Sequence, residues 1–118
     1  MNTRYVGARA EDAACAFLEA KGYGILGRNL RLGRGELDIV ARKDGVTAFI
    51  EVKYRRSGRF GTPAEAVTPL KMRRMLDAAT CYAAQHGLLE TPLRFDIIEL
   101  SAGNIRHIEG AFDESGCI

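Results

Sequence analysis

The sequence contains no tryptophan, three prolines and three cysteines among its 118 residues. Cys15, Cys81 and Cys117 are spaced too widely for a CxxC pair or a zinc site. A few unpaired cysteines are typical of the reducing cytoplasm, where disulfides are rare. Long apolar runs are also missing, since none approaches the roughly 18–20 residues of a membrane-spanning helix. The first residues, Met1 to Arg9, hold no apolar signal-peptide region, so we expect a cytoplasmic protein without a membrane partner.

The overall composition is that of a globular domain, with 47% hydrophobic and 27% charged residues. Its length predicts one domain, 1–118, which is large enough for one core. Charge is segregated along the chain. The segment from Arg28 to Arg74 holds twelve basic and five acidic residues, whereas the remainder holds five basic and ten acidic ones. Such a segment indicates either a surface that faces a polyanion or a solvated charged face.

Apolar periodicity predicts a mixed α/β fold with a sheet of four or five strands flanked by helices. Residues at helical spacing extend from Thr3 to Lys21 and again beyond Thr68, where Pro69 suits the first turn of a helix. The predicted order is helix, three strands, helix, and one or two strands. The predicted strands are Ile25 to Leu32, Glu36 to Arg42, Val46 to Tyr54, Arg94 to Leu100 and a short edge strand from Asn104 to Ile108, while Arg55 to Thr68 is a predicted loop.

The second and third predicted strands form a hairpin around Asp-Gly at 44–45, a pair typical of two-residue turns. Such a turn places Asp38 opposite Glu51 and Glu36 opposite Lys53, with all four side chains on one side. Opposed Cβ atoms lie roughly 4.5–5.5 Å apart, and like charges at that distance repel each other. The hairpin therefore brings together two carboxylates that need a cation.

These opposed carboxylates predict a divalent metal site. Carboxylate oxygens suit Mg²⁺ or Mn²⁺, with the other positions left to water and phosphate. Lys53 beside them is suited to hold a scissile phosphate or to orient an attacking water. An ordinary cross-strand salt bridge between Glu36 and Lys53 is the alternative. The apolar context of Glu51 favours a functional site, because a largely buried central strand seldom carries charges.

Further charged residues are expected around the hairpin. Glu11, at the border of the apolar face of the first helix, reaches the metal if that helix packs over the hairpin; a solvent-exposed edge carboxylate is the alternative. Lys71 and Arg74 share a helix face and suit backbone phosphates, unless they form a solvated cationic helix end. His86 and His107 have no ligand partners at metal spacing and are expected at the surface. The predicted nucleic-acid-binding residues are Arg34, Arg55, Arg56, Arg59, Lys71 and Arg74.

The segment Gly35-Glu36-Leu37-Asp38, followed after a short hairpin by Glu51-Val52-Lys53, resembles the PD-(D/E)XK nuclease signature, with Leu37 where the signature name has proline. The helical Glu11 upstream strengthens the match. Most of the chain is similar to the YraN-like family of uncharacterised bacterial proteins with a restriction-endonuclease-like fold. The first helix and the hairpin also resemble archaeal Holliday-junction resolvases. The stretches that carry the family resemblance are Gly7 to Leu18, Gly35 to Tyr54, Lys71 to Tyr82 and Arg94 to Asp96.

This resemblance implies a single nuclease-like domain with a restriction-endonuclease-like core. By position it implies that Asp38, Glu51 and the backbone carbonyl of Val52 bind Mg²⁺ or Mn²⁺. It implies that Lys53 positions the water or stabilises the charge of the transition state, and that Glu11 is an auxiliary acid. Glu36, on the same face of the hairpin, is expected to be a further auxiliary residue. Related resolvases act as dimers, so a homodimer is expected by analogy.

Three functions remain open on the sequence. The first is a metal-dependent endonuclease that hydrolyses phosphodiester bonds in DNA, on branched structures or repair intermediates. The second is a nucleic-acid-binding module with the nuclease fold but no catalysis. The third is an interaction subunit of a larger repair or ribosome-linked assembly, suggested by the small size and the acidic remainder of the chain. The opposed carboxylates and Lys53 favour the first, because a module freed from catalysis need not keep them.

Overall fold

The computed structural model describes residues 3–56 and 59–117, which form a mixed sheet between helices. No helix in these ranges is long and apolar enough to cross a membrane. The helices are α1 (Thr3–Ala20), α2 (Pro63–Ala66) and α3 (Pro69–Gln85), and the strands are β1 (Gly24–Leu32), β2 (Gly35–Lys43), β3 (Val46–Arg55), β4 (Leu93–Ser101), β5 (Asn104–Asp113) and β6 (Gly116–Cys117).

The strands lie in the sheet in chain order, from β1 to β6. All neighbours are antiparallel except β3 and β4, which are parallel because the chain crosses over through α2 and α3 between them. The predicted α/β class and the order of the main elements are confirmed. β3 has a strand on each side, β2 and β4, which is the central position that its apolar sequence predicts.

Each face of the sheet has its own hydrophobic core. Phe49 of β3 packs with α3 in one cluster, and its neighbour Ile50 packs with α1 in the other. Consecutive residues of a strand point to opposite faces, so the two helices cover opposite sides of the sheet. Leu18 of α1 and Met75 of α3 are fully buried at these contacts, and burying a side chain of this kind contributes about 1.5–3 kcal/mol.

Two local signals in the sequence produce the expected structures. Asp44 and Gly45 have φ values of 52° and 78°, the pair of positive angles that a type I′ hairpin turn requires. Thr68 caps α3, since its Oγ1 accepts a hydrogen bond of 3.2 Å from the backbone N–H of Lys71. Both features are important for the site. The turn sets the register of β2 and β3, and the cap starts the helix that carries Lys71.

The predicted loop from Arg55 to Thr68 contains a short helix, so that part of the prediction was wrong. α2 begins at Pro63, and Thr62 Oγ1 accepts a hydrogen bond of 3.2 Å from Glu65 N. Residues 57 and 58 of the same predicted loop lie outside the described residues. The predicted edge strand was too short, because β5 continues to Asp113 along β4 after a register shift.

Candidate functional site

β2 and β3 pair from their turn outward and then separate. Among the described residues their ladder ends at Ile39 and Ile50, in the register that the two-residue turn predicts. Beyond this point β2 continues beside β1, and β3 continues beside β4. Asp38 lies where the strands separate, and its Oδ2 accepts a hydrogen bond of 2.9 Å from the backbone N–H of Val52. The carboxylate thus satisfies a donor of β3 that has left the ladder.

The separation changes the predicted cross-strand pairs. The hairpin geometry placed Asp38 opposite Glu51 and Glu36 opposite Lys53, and neither pair belongs to the ladder between the described parts of β2 and β3. Glu36 is instead exposed, and in the register of β1 and β2 it lies opposite Arg31 of β1. An ordinary cross-strand salt bridge between Glu36 and Lys53 is not among the ion pairs of the described residues.

The side chains of β2 stop alternating at Asp38. Leu37 packs in the cluster of α3 and Ile39 in the cluster of α1, although residues two apart on a regular strand share a face. On β1, Asn29 has a left-handed backbone conformation, with φ 52°, between the register pairs Arg28–Ile39 and Leu30–Leu37 that flank Asp38. The prediction that side chains two apart on this strand, such as Glu36 and Asp38, share one side was therefore wrong here, and Asp38 lies at a junction between the two faces.

Asp38 and Glu51 nevertheless form an acidic pair, in which Glu51 is buried and Asp38 is half-buried. The pKa of Glu51 is raised to about 7, mainly by burial and then by the negative charge of Asp38, while Lys71 and Lys53 oppose the shift. Burial likewise raises the pKa of Asp38, against the hydrogen bond from Val52 and the charge of Lys71. Two carboxylates in this position resist carrying two negative charges at neutral pH.

Buried carboxylate oxygens without hydrogen bonds accompany this pair. Within the described ranges, Glu51 Oε2 has no hydrogen-bond partner, and Lys71 Nζ lies 3.5 Å from it. Glu11 Oε1 also has no hydrogen-bond partner among the described residues, and Arg28 Nη2 lies 3.8 Å from it. The pKa of Glu11 is raised by burial and then by the charge of Asp38. Unsatisfied buried oxygens are costly, and a bound cation is a partner that would offset this cost.

The donor set fits a divalent cation that takes part of its shell from solvent or phosphate. No group of three His, Cys, Asp or Glu side chains in the described parts of the chain is placed to hold a metal, so Glu11 does not form a third side-chain ligand here. Asp38, Glu51 and the carbonyl of Val52 supply hard oxygen donors of the type that Mg²⁺ and Mn²⁺ accept. The unsatisfied Glu51 Oε2 and the raised pKa of both acids are what a bound cation would compensate.

A pH titration of stability should identify this acidic pair in metal-free buffer. The folded pKa of Glu51 is about 7 and its ordinary value is 4.5, so the folded state holds the extra proton between these values. The free energy of unfolding therefore falls as pH rises from about 4.5 to about 7. At about 1.4 kcal/mol per pKa unit, we expect Glu51→Gln to be more stable than the parent by about 3 kcal/mol at pH 8 and by little at pH 4 in urea unfolding.

Glu19→Gln is the matched control for this titration, since Glu19 is exposed on α1. Its stability relative to the parent should be the same at pH 4 and pH 8. A Glu51→Gln variant whose stability relative to the parent is also independent of pH would contradict a raised pKa at Glu51.

Three of the six predicted nucleic-acid-binding residues line one cavity next to the acidic pair. Arg34 lies in the β1–β2 turn, and Lys71 and Arg74 lie near the start of α3. With Arg31 and Glu36 they surround a volume of about 390 Å³. Sequence reasoning missed Arg31. The signal was available in the register of the predicted strands, because Arg31 faces Glu36 across the hairpin of β1 and β2.

The other three predicted basic residues do not line this cavity. Arg55 Nε donates a hydrogen bond of 3.2 Å to Glu99 Oε2, inside an ion-pair cluster that also includes Arg106. Arg59 accepts a hydrogen bond from Ser101 Oγ at its backbone carbonyl, at 3.4 Å. Arg56 is exposed. Arg55 thus has an internal structural partner that its position in a basic loop did not reveal.

A second buried charge cluster lies at the other end of β4, around Asp96. Its carboxylate accepts hydrogen bonds from Arg94 at 2.8 and 2.9 Å, from His107 at 2.8 Å and from the N–H of Gly110 at 3.0 Å. Burial alone would raise the pKa of Asp96, but these hydrogen bonds lower it below its usual value. The side chain of His107 is 2% exposed, so the expectation that it lies at the surface was wrong.

Comparison with known proteins places the site within a family. The model of the uncharacterised protein family UPF0102 matches residues 10–100. The UPF0102 protein of Symbiobacterium thermophilum is 45% identical over 115 residues, which cover 93% of this chain and 98% of that protein. The UPF0102 protein of Lachnoclostridium phytofermentans is 44% identical over 117 residues, 98% of this chain and 99% of that protein. The matched range includes Glu11, Asp38, Glu51 and Lys53, and the chain belongs to the uncharacterised protein family UPF0102.

Proposed function

We propose that this chain is a metal-dependent endonuclease of the PD-(D/E)XK type that hydrolyses phosphodiester bonds in DNA. The observation that carries the proposal is the pair of the half-buried Asp38 and the buried Glu51 where two strands separate, with the charges of Lys53 and Lys71 acting on Glu51. Strongly perturbed carboxylates that have an identified charge partner are typical of functional sites. The resemblance of the Glu51-Val52-Lys53 segment to the nuclease signature supports the same assignment.

In this proposal Asp38, Glu51 and the carbonyl of Val52 would hold Mg²⁺ or Mn²⁺. When bound, the ion supplies positive charge that polarises the phosphate and acidifies water. Asp38 is kept in place by its hydrogen bond from Val52 N, so the donors on β2 and β3 are oriented relative to each other before a substrate arrives. A preorganised charged site of this kind needs little rearrangement during the reaction.

The two lysines have different roles in the proposal. Lys53 follows Glu51 by two residues on β3, and its charge already acts on that carboxylate. It orients the attacking water or compensates the charge that develops on the phosphate oxygens. Lys71 reaches Glu51 from α3 and is free to exchange that carboxylate for a phosphate oxygen of the substrate. Glu11 contributes auxiliary negative charge from α1, since its titration is linked to that of Asp38.

Cleavage assays with the parent chain and Lys53→Met test the proposal. Four-way junction, flap, single-stranded and duplex DNA would each be incubated with Mg²⁺ or Mn²⁺ and resolved on denaturing gels. We expect the parent to cut at least one substrate, and we expect this cleavage to stop when EDTA removes the metal. Lys53→Met should cut about 10²-fold more slowly, the usual effect of removing one group that stabilises transition-state charge.

Glu90→Gln is the matched control for these assays, because Glu90 is exposed and lies in the connection between α3 and β4, away from the proposed site. It should cut at the rate of the parent. The proposal fails if no substrate is cut with either metal, or if Lys53→Met cuts as fast as Glu90→Gln.

A catalytically silent nucleic-acid-binding module is the second candidate. The basic cavity beside the acidic pair favours it independently of any metal, because four of its lining side chains are cationic. This candidate predicts binding whose affinity falls steeply with salt, with intact DNA recovered from every cleavage assay.

A further inference from the structure

We propose that the cavity between the β1–β2 turn and α3 is a phosphate-binding subsite for a nucleic-acid strand, adjacent to the acidic pair. The inference rests on the proposed function for its choice of ligand, and it adds a second anchoring point for the same strand. The residues assigned to the subsite are Arg31, Arg34, Lys71 and Arg74.

The shape of the cavity is fixed by close backbone packing between the β1–β2 turn and α3. A Cβ atom at Gly35 would lie 2.0 Å from the carbonyl oxygen of Arg74, so the absence of a side chain lets β2 contact α3 directly. The same turn is fixed by a hydrogen bond of 2.7 Å from Arg34 N to Asp77 Oδ2 of α3. These contacts join the two walls of the cavity, which is the preorganisation that tight anion binding requires.

The positive charge of the cavity is compensated only in part within the described residues, where Lys71 pairs with Glu51. Four cationic side chains and one carboxylate, that of Glu36, line it. In the described parts of the chain, the side chains of Arg31, Arg34 and Arg74 have no ion pair, whereas Arg28, Arg55, Arg94 and Arg106 each pair with a carboxylate. Clustered cations repel each other, and a phosphate that accepts forked hydrogen bonds from several arginines relieves that repulsion.

Lys71 links this cavity to the acidic pair. Its side chain lines the cavity, and its Nζ lies 3.5 Å from Glu51 Oε2. A phosphate bound by Arg34 and Arg74 therefore places the adjoining part of its strand next to Asp38 and Glu51. Phosphate contacts of this kind fix register and orientation without reading bases. The subsite thus selects a polyanionic strand, and the ligand is either an internal phosphodiester or the terminal phosphate of a strand end.

Two neighbouring arginines of α3 provide the test. Arg74 lines the cavity, while Arg73 is exposed and does not line it. Binding of 3′-fluorescein-labelled single-stranded DNA would be measured by fluorescence anisotropy in EDTA, over a series of salt concentrations. We expect Arg74→Gln and Arg34→Gln each to raise the dissociation constant about tenfold at low salt. The slope of log affinity against log salt concentration should fall by about one phosphate contact in each variant. The dissociation constant of Arg73→Gln should stay within about twofold of that of the parent.

Oligonucleotides with a 5′-phosphate and with a 5′-hydroxyl identify the source of the phosphate. A loss in Arg74→Gln that occurs only with the 5′-phosphate assigns the subsite to a strand end, and an equal loss with both assigns it to internal phosphodiesters. Equal losses in Arg73→Gln and Arg74→Gln, or none in either, would overturn the subsite. Because no cleavage occurs in EDTA, a specific loss in Arg74→Gln stands even if the cleavage assays with metal show no hydrolysis.

Discussion

Replacing Asp38 with asparagine should remove metal-dependent hydrolysis while the chain stays folded. An asparagine keeps an oxygen that can accept the hydrogen bond from Val52 N, which the Asp38 carboxylate accepts at 2.9 Å. The substitution removes one of two proposed charged ligands, and the charge stabilisation lost is several kcal/mol. At about 1.4 kcal/mol per tenfold change, we expect the cleavage rate to fall by more than about 10³-fold in single-turnover assays.

Thermal unfolding with and without Mn²⁺ provides the second readout for Asp38→Asn. A cation that binds only the folded state raises the melting temperature of the parent, and this increase should disappear in Asp38→Asn. Lys53→Met should keep the increase while losing hydrolysis, because the lysine is not a proposed ligand. If Asp38→Asn keeps both the increase and the cleavage rate, the assignment of Asp38 as a metal ligand is wrong.

The sequence alone predicts the hairpin of β2 and β3, because its signals are local. Asp44 and Gly45 define the turn, and the turn defines the register as far as Ile39 and Ile50. What local patterns do not predict is the separation of the strands at Asp38. It depends on the competing partners β1 and β4 and on the distorted backbone at Asn29, which are properties of the assembled sheet.

The two histidines show the same limit. His86 follows α3 and is exposed, as predicted. The side chain of His107 is buried among partners from distant parts of the chain. These are Asp96 of β4 and Lys21, which directly follows α1 and whose Nζ lies 2.8 Å from His107 Nδ1. Since an ammonium group can only donate, His107 Nδ1 accepts and its Nε2–H donates to Asp96. No spacing in the sequence indicates this three-element contact.

The buried acids of this chain fall into two groups with opposite electrostatics. Asp96 and Glu99 are fully buried and surrounded by donors, and the pKa of each is lowered because its hydrogen bonds outweigh the effect of burial. Glu51 is buried and Asp38 is half-buried, both with fewer donors, and the pKa of each is raised mainly by desolvation. The first group stabilises the fold as charged residues, whereas the second is costly in the metal-free fold, and the cation that we propose there would offset this cost.

This contrast predicts opposite effects on stability when the charge is removed. Asp96→Ala should lower the free energy of unfolding by about 3–5 kcal/mol at pH 7, because it leaves Arg94, His107 and the N–H of Gly110 without their acceptor inside the fold. Asp38→Asn should not lower the stability in EDTA, since it removes a charge that Glu51 repels. Urea unfolding followed by circular dichroism measures both values.

Asp96→Asn and Glu90→Ala complete this comparison. Asp96→Asn keeps one acceptor oxygen and should lose less stability than Asp96→Ala, so it remains measurable if the alanine variant does not fold. Glu90 is exposed in the connection between α3 and β4, and its alanine variant should change stability by at most about 0.5 kcal/mol, the usual range for surface substitutions. A loss below about 1 kcal/mol in Asp96→Ala, or a loss in Asp38→Asn as large as in Asp96→Ala, would contradict the division of the buried acids into structural and ligand-binding groups.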